Sequence, residues 1–225
     1  KLEPLKLSAC LQIARELKLE KEDLIKLHSL FGGYPKYYVG IEDYNLAGKT
    51  AEEIIDALLL AKSAPMDDEV ANILSQEFGA RSGVYYSILE AIAQGNNTIS
   101  AIAGYLNTPQ QSLTRQINEL KEHFELIEFE SPYSGKKGYY KISHPLINYW
   151  FSQVYKNYSD YLSRNPEFIK RLKNNLSTVY GRGFEKTAKE FLCTRLKLTR
   201  AKRQWGKIPS AKKEESAYEI DLIGE

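Results

Sequence analysis

The chain has 225 residues, a formal net charge of +2, 43% hydrophobic residues and 27% charged residues. This length suits two or three domains, and the composition is typical of a globular protein with real hydrophobic cores. The small net charge excludes a uniformly basic nucleic-acid coat but leaves room for a local basic patch. No apolar run approaches the roughly 20 residues needed to cross a bilayer, and no signal peptide stands at the N-terminus. We therefore expect a cytoplasmic protein without a membrane partner.

The two cysteines, Cys10 and Cys193, are far apart and have no CxxC or Cys/His neighbours. This spacing argues against a structural zinc site and favours two small apolar residues in a reducing compartment. The chain begins with Lys1 and stops four residues after Asp221. We expect it to be a piece of a longer protein.

The first part of the chain, residues 1–64, is predicted to form an α-helical bundle. Apolar residues recur at helical spacing over 7–20 and again over 21–31. Thr50 and Glu53 have the spacing of a capping box, which predicts the start of a helix over residues 51–62.

The middle part, residues 65–144, is predicted to form a winged helix-turn-helix with a leading helix. A strongly apolar helix over 84–94 is followed by a short helix that Thr98 caps. After a three-residue turn comes a longer helix over 109–123, and then two short strands over 126–142 joined by a glycine-containing turn. This order is that of the winged helix-turn-helix motif.

The helix over 109–123 carries the predicted DNA contacts. Leu113, Ile117 and Leu120 recur at helical spacing and should hold the helix on the core. The opposite face is polar and consists of Gln111, Ser112, Thr114, Arg115 and Asn118. Short polar side chains and one arginine suit base edges and phosphates in the major groove of double-stranded DNA.

The turn between the two strands adds Lys136 and Lys137, which in a flexible hairpin could contact adjacent phosphates. An alternative is a protein–protein module, since winged helices also serve that purpose. Glu119 and Glu122 make the charge of the longer helix mixed rather than basic. DNA contact and a packing role, including a homo-oligomer, both stay open at this point.

The last part, residues 145–225, is predicted to be an incomplete α/β domain. It contains aromatic-rich helices, an amphipathic helix that follows Gly181 and Gly183, and an apolar run over 218–223 that predicts a buried strand. Eight basic residues and no acidic one lie between residues 193 and 213. That run could guide a DNA backbone, or it could be a solvated helix face and loop.

Several segments, taken in order, resemble a known family. LFGGYPKYY (30–38) is similar to the end of the lid in archaeal-type ATPases of the AAA+/STAND group, and LEPL (2–5) to the segment that enters this lid. In that family a winged helix follows, and then a C-terminal domain whose fold is similar to PD-(D/E)XK nucleases. The segments that look like landmarks of that domain are NYWFSQVY (148–155), YGRGFEKTAKEFL (180–192), RQWGK (203–207) and YEIDLIGE (218–225).

The resemblance implies that Gly33 and Pro35 match the GxP motif of the lid, which abuts bound nucleotide. ATP and Mg²⁺ would then be cofactors of a complete protein that includes an N-terminal ATPase domain. In such a protein, ATP binding would reposition the lid and with it the winged helix on DNA. The chain itself has no G-x-x-x-x-G-K-[ST] phosphate loop, so we expect no tight ATP binding by this part alone.

The resemblance also implies that Glu185 and Asp221 match the helix acid and the strand acid of a nuclease-like catalytic site, with Asp221 as a metal ligand. The E-x-K strand that completes such a site is absent, so the sequence leaves any enzymatic activity open. Alternatively, Glu185 is an exposed helix acid and Asp221 pairs with the basic run. A buried position between Ile220 and Leu222 would favour a role for Asp221 in the nuclease-like site, because burying an acid without a partner is costly.

Three functions are therefore considered. The first is the C-terminal part of an archaeal-type ATPase that binds double-stranded DNA through a winged helix. The second is a DNA-binding regulator or nuclease subunit without a motor role. The third is an adaptor that binds another protein.

Overall fold

The structure is a computed structural model that describes residues 4–79, 82–135, 137–208 and 217–225. These residues form a mainly helical protein with two small antiparallel sheets, each of two strands. This confirms the predicted mainly α class with a smaller part that contains strands. Within the described ranges, no helix combines the length and the apolar character that a membrane span requires.

The first part contains four helices within the described ranges. They are α1 (Leu7–Glu16), α2 (Lys21–Phe31), α3 (Pro35–Asp43) and α4 (Ala51–Ile55), the last continued by a π-helical turn (Asp56–Leu60). The predicted capping box at the start of α4 is confirmed. The backbone N–H of Glu53 donates to the Thr50 hydroxyl, and the Thr50 N–H donates to the Glu53 carboxylate at 2.9 Å.

The middle part follows the predicted order of helices and strands. It consists of α5 (Glu69–Phe78), α6 (Ser82–Ala93), α7 (Ile99–Tyr105), α8 (Gln110–Asn118) with a π-helical turn (Glu119–His123), β1 (Ile127–Glu130) and β2 (Tyr139–Ile142). The Thr98 hydroxyl accepts from the Ala101 N–H, so the predicted cap of α7 is confirmed. β1 and β2 pair antiparallel, with Ile127 opposite Ile142.

The last part packs against the first. It consists of α9 (Pro145–Tyr149), which continues through further helical turns (Trp150–Val154 and Tyr155–Asn157), α10 (Tyr158–Leu162), α11 (Pro166–Leu196), β3 (Ala201–Lys207) and β4 (Ala217–Gly224). Leu172 of α11 and Leu24 of α2 belong to the same buried hydrophobic cluster. The Tyr161 hydroxyl donates to the Leu59 carbonyl at 2.7 Å. One core therefore connects the three predicted parts.

The prediction that a helix begins after Gly181 and Gly183 is wrong, because α11 runs through both glycines without interruption. A glycine inside a helix costs about 1 kcal/mol relative to alanine, so the sequence suggested a boundary. The close approach of α2 explains why residue 183 is a glycine. A Cβ there would lie 2.1 Å from the Cβ of Ser29.

The prediction of a buried strand over 218–223 is also wrong. Ile220 is 44% exposed, and the side chain of Asp221 is 72% exposed. Among the described strands β4 pairs only with β3, so a two-stranded hairpin leaves much of its surface in solvent. Asp221 is therefore not a buried acid, and burial gives no support to a catalytic role for it.

Candidate nucleic-acid interface

The helix α8 has one buried face and one exposed face. Leu113, Ile117 and Leu120 are each at most 3% exposed and hold the helix on the core. The five polar residues predicted to contact DNA are all exposed: Gln111, Ser112, Thr114, Arg115 and Asn118. The predicted burial pattern of this helix is confirmed, and its contact with DNA stays a prediction.

Arg115 does not stand alone on the exposed face. Its Nε donates to Oε1 of Glu119 at 2.9 Å, and the hydroxyl of Tyr85 donates to the other carboxylate oxygen of Glu119. The side chain of Arg115 is 76% exposed, whereas that of Glu119 is 27% exposed. The spacing of four residues between Arg115 and Glu119 could have predicted the ion pair, but nothing in the sequence points to Tyr85.

Two hydroxyls on the exposed face are engaged by the backbone of the helix itself. The Ser112 hydroxyl donates to the Pro109 carbonyl at 2.7 Å, and the Thr114 hydroxyl donates to the Gln110 carbonyl at 3.4 Å. Such local bonds are common for serine and threonine in helices. The longer side chains of the face are therefore the better candidates for reaching a base edge.

An open depression lies along this face. It is lined by Gln111, Thr114, Arg115, Asn118, Glu119, Glu122 and His123. The lining combines amide, hydroxyl and guanidinium groups with two carboxylates. It therefore offers hydrogen-bond donors and acceptors rather than a strong positive field.

Charged side chains of the β1–β2 hairpin form ion pairs with one another. The Lys141 ammonium lies 2.9 Å from a Glu130 carboxylate oxygen and 3.4 Å from one of Glu128. Burial opposes the charged form of Lys141, but the bonds to these two glutamates outweigh it and raise its pKa. Lys137 is exposed at the end of the loop, and Lys136 lies outside the described residues.

The loop of this hairpin is held by β3. The Tyr133 N–H donates to the Arg203 carbonyl at 2.8 Å, and the Ser134 N–H donates to Oε1 of Gln204 at 2.8 Å. The ring centroids of Tyr139 and Trp205 lie 5.0 Å apart. The prediction of a flexible hairpin did not include these contacts, because they join positions about 70 residues apart in the sequence.

The basic run takes part in the same attachment. The Lys202 ammonium donates to the Ser131 hydroxyl at 2.7 Å. The Arg200 guanidinium donates to the Tyr133 carbonyl at 2.7 Å and lies 4.3 Å from the centre of the Tyr133 ring. Lys207 is exposed at the end of β3. Part of this run is therefore a strand that anchors the hairpin, and neither of the two sequence interpretations described that role.

The acids of the predicted nuclease-like site surround an arginine. Nη2 of Arg203 lies 2.6 Å from Glu219, 3.5 Å from Glu185 and 3.5 Å from Asp221. The structure thus brings Glu185 and Asp221 to one place, but the Arg203 guanidinium already lies against both carboxylates there. Within the described residues, no cluster of acids, histidines and cysteines could hold a metal ion. These residues do not fit a Mg²⁺ site in this arrangement.

The segment that contains Gly33 and Pro35 has a clear packing role. A Cβ on Gly33 would lie 2.0 Å from the carbonyl oxygen of Leu5, whose N–H donates to the Gly33 carbonyl at 2.7 Å. Pro35 is the first residue of α3. Between them, the Tyr34 ring stacks on His144 with centroids 4.0 Å apart. The segment therefore connects the first part to the end of the hairpin, and its contact with nucleotide stays a prediction for a complete protein.

Comparison with known proteins finds an archaeal relative but no family. No family model matches the chain, and no solved structure matches it. The chain is similar to an uncharacterised protein of the archaeon Methanocaldococcus jannaschii, with 29% identity over 210 residues. The match covers 90% of this chain and 44% of that protein, so the chain spans less than half of the relative's length.

Proposed function

We propose that residues 65–144 contain a winged helix-turn-helix that binds double-stranded DNA, with α8 in the major groove and the β1–β2 hairpin as the wing. The order of α6, α7, α8 and the two strands supports this assignment. The major groove is about 12 Å wide and accepts one α-helix with its side chains.

The observation that carries the proposal is the exposure of the outer face of α8. All five polar residues on that face are exposed, so no described part of the chain covers them. Two short hydroxyl side chains flank the longer groups of Gln111, Arg115 and Asn118, which can reach into a groove. This exposure leaves the face accessible to a groove, as a recognition helix requires.

The charge of the site sets the expected strength of binding. Within α8 and its following turn, Arg115 and Lys121 are each paired with a glutamate, at 2.9 Å and 2.6 Å. Phosphate contacts therefore depend largely on exposed lysines outside these two ion pairs. One of them is Lys137, in the loop of the β1–β2 hairpin. We expect few phosphate contacts, and the salt slope of binding should be correspondingly small, since each contact contributes about 0.9 to it.

For the complete protein, we propose the C-terminal part of an archaeal-type ATPase, as the resemblance implies. The relative comes from an archaeon, and more than half of its length lies outside the match, which leaves room for a nucleotide-binding domain. Gly33 and Pro35 would then lie near nucleotide held by that domain, with ATP and Mg²⁺ as its cofactors. A phosphate loop in the same reading frame would support this proposal, and a complete frame without one would contradict it.

The experiment that tests DNA binding is a titration of a fluorescent random-sequence duplex at several salt concentrations. We expect the double variant Arg115→Ala, Lys137→Ala to bind more weakly than the wild type, with the loss of Lys137 flattening the salt dependence. Lys170→Ala, which removes an exposed lysine from α11, is the matched control and should leave both quantities unchanged. An unchanged salt slope in the double variant would remove this surface from the proposal.

One observation favours an adaptor as the second candidate function. The C-terminal half of α11 exposes Phe184, Phe191 and Leu196 by 57%, 57% and 60%. Phe184 and Phe191 are seven residues apart and therefore lie on the same face of α11, and neighbouring exposed apolar side chains are typical of surfaces that bind another protein. If the chain binds no duplex even at low salt, this face supports the adaptor.

A further inference from the structure

A buried tyrosine, a half-buried glutamate and an exposed arginine form a chain of hydrogen bonds beneath the outer face of α8. Tyr85 of α6 is 5% exposed, and its ring lies 4.8 Å from that of Phe78 and 5.3 Å from that of Phe124. These contacts fix the ring. Its hydroxyl, which donates to Glu119, is therefore a fixed point in the core.

Glu119 links the buried Tyr85 hydroxyl to Arg115 at the surface. One carboxylate oxygen accepts from Tyr85, and the other accepts from Nε of Arg115 at 2.9 Å. An exposed ion pair four residues apart on a helix is worth little by itself, partly because ordering both side chains costs entropy. Here the buried hydroxyl has already ordered the carboxylate, so the guanidinium is held with less loss of freedom.

The use of Nε decides which part of Arg115 can act on a ligand. The hydrogen bond to Glu119 involves Nε, and no described residue accepts from the two terminal nitrogens, so Nη1 and Nη2 are the donors available to an outside acceptor. Two parallel N–H donors match the O6 and N7 acceptors of guanine in the major groove. They also match two oxygens of a phosphate.

Charge and position favour guanine over phosphate. Glu119 offsets the positive charge of Arg115, which weakens its attraction to the backbone but leaves its pattern of donors intact. Arg115 lies one helical turn from both Gln111 and Asn118, at the centre of the exposed face rather than at its edge. The centre of such a face meets bases, whereas phosphates lie along its borders.

We propose that Glu119, held by Tyr85, is a positioning residue that orients Arg115 to read one guanine. This inference rests on the proposed DNA binding and adds to it a specific base contact and the two residues that prepare it.

The test begins with selection of preferred sites from a randomised duplex library. Affinity is then measured for the selected duplex and for variants in which each G·C pair is replaced by A·T. Wild type should discriminate roughly 5- to 100-fold at one G·C position, as expected for a bidentate contact. Arg115→Ala, a truncation at an exposed position, should abolish that discrimination.

Glu119→Gln separates a positioning role from a structural one. It removes a negative charge, so binding to unrelated duplexes should become equal or stronger while discrimination at the one guanine falls. Tyr85→Phe should lower discrimination in the same direction but less. The matched control is Tyr158→Phe, because its hydroxyl also donates to a carboxylate, that of Asp68 at 3.0 Å, outside α8.

The outcomes are distinct. Lower discrimination with retained general affinity in Glu119→Gln, and no effect in Tyr158→Phe, supports the inference. Retained guanine preference in Glu119→Gln, or an equal loss of affinity for all duplexes, overturns it and leaves DNA binding standing. Failure of the wild type to bind any duplex at low salt overturns both.

Discussion

Gly183 of α11 lies so close to Ser29 of α2 that a Cβ at this glycine would be 2.1 Å from the serine Cβ. The Cα of Ser29 would also be only 2.5 Å away, so rotation of the serine side chain cannot make room for a methyl group. This close crossing holds α11 against α2. Near it, the Thr187 hydroxyl lies 3.5 Å from Nδ1 of His28.

The crossing predicts opposite effects for two neighbouring glycines. Gly183→Ala should lower the free energy of unfolding by about 1–3 kcal/mol, as overpacking does. Gly181→Ala should raise it by about 0.5–1 kcal/mol, because nothing lies within 4 Å of a Cβ there and alanine is the better helix former. Urea denaturation measures both. Equal effects of the two substitutions would mean that α11 does not cross α2 closely.

The attachment of the hairpin loop to β3 predicts slow hydrogen exchange in the loop. The amides of Tyr133 and Ser134 both donate to β3 and should be protected although they lie outside the strands. Trp205→Ala removes the ring that packs on Tyr139 and should speed exchange at both amides. The Thr98 cap of α7 offers an internal control, since the Ala101 amide should be unaffected. Fast exchange of Tyr133 and Ser134 in the wild type would contradict the attachment of the hairpin loop to β3.

A buried histidine predicts loss of stability in mild acid. Burial lowers the pKa of His28 from its ordinary value of 6.5, Lys186 acts in the same direction, and Glu190 opposes them. The unfolded chain therefore binds a proton at a pH where the folded chain does not. The stability that the neutral His28 contributes is fully present above about pH 6.5. It is lost as the pH falls from there toward the lower pKa of His28 in the folded protein.

Comparison of unfolding free energies at pH 7 and pH 5 tests this prediction. His28→Gln should flatten the fall in stability, by at most about 1.4 kcal/mol per pH unit. His123→Gln is the control, because that side chain is exposed. A fall of the same steepness in His28→Gln would assign the acid sensitivity to other groups.

The arginine among the three acids predicts indifference to magnesium. Arg203 pairs with Glu185, Glu219 and Asp221, so a metal ion that bound among these carboxylates would have to displace the guanidinium. We expect millimolar MgCl₂ to change Tm no more than NaCl of equal ionic strength. A specific rise in Tm with Mg²⁺, absent in Asp221→Asn, would restore the metal site that the resemblance implies.

Local signals in the sequence predicted local structure well. The capping box at Thr50 and the cap at Thr98 depend on residues three positions apart, and both are present. The buried positions Leu113 and Ile117 follow from helical periodicity alone. The polar face opposite them was therefore predictable from the same periodicity.

Long-range contacts explain what the sequence did not reveal. Helix propensity made Gly183 a predicted boundary, whereas its reason is Ser29, more than 150 residues away. The apolar pattern around Asp221 suggested burial, but no other described strand pairs with the outer edge of β4. Tyr85 belongs to the candidate site only through the fold, because its hydroxyl meets Glu119 from another helix.

We propose above that the outer face of α8 binds duplex DNA. The most direct measurement is a titration of the ¹⁵N-labelled protein with a duplex at low salt, followed by NMR at each residue. We expect the largest shifts at Gln111, Arg115, Asn118 and Lys137, with Lys170 on α11 unaffected. Absence of shifts on α8, or shifts confined to α11 and the β3–β4 hairpin, would contradict it.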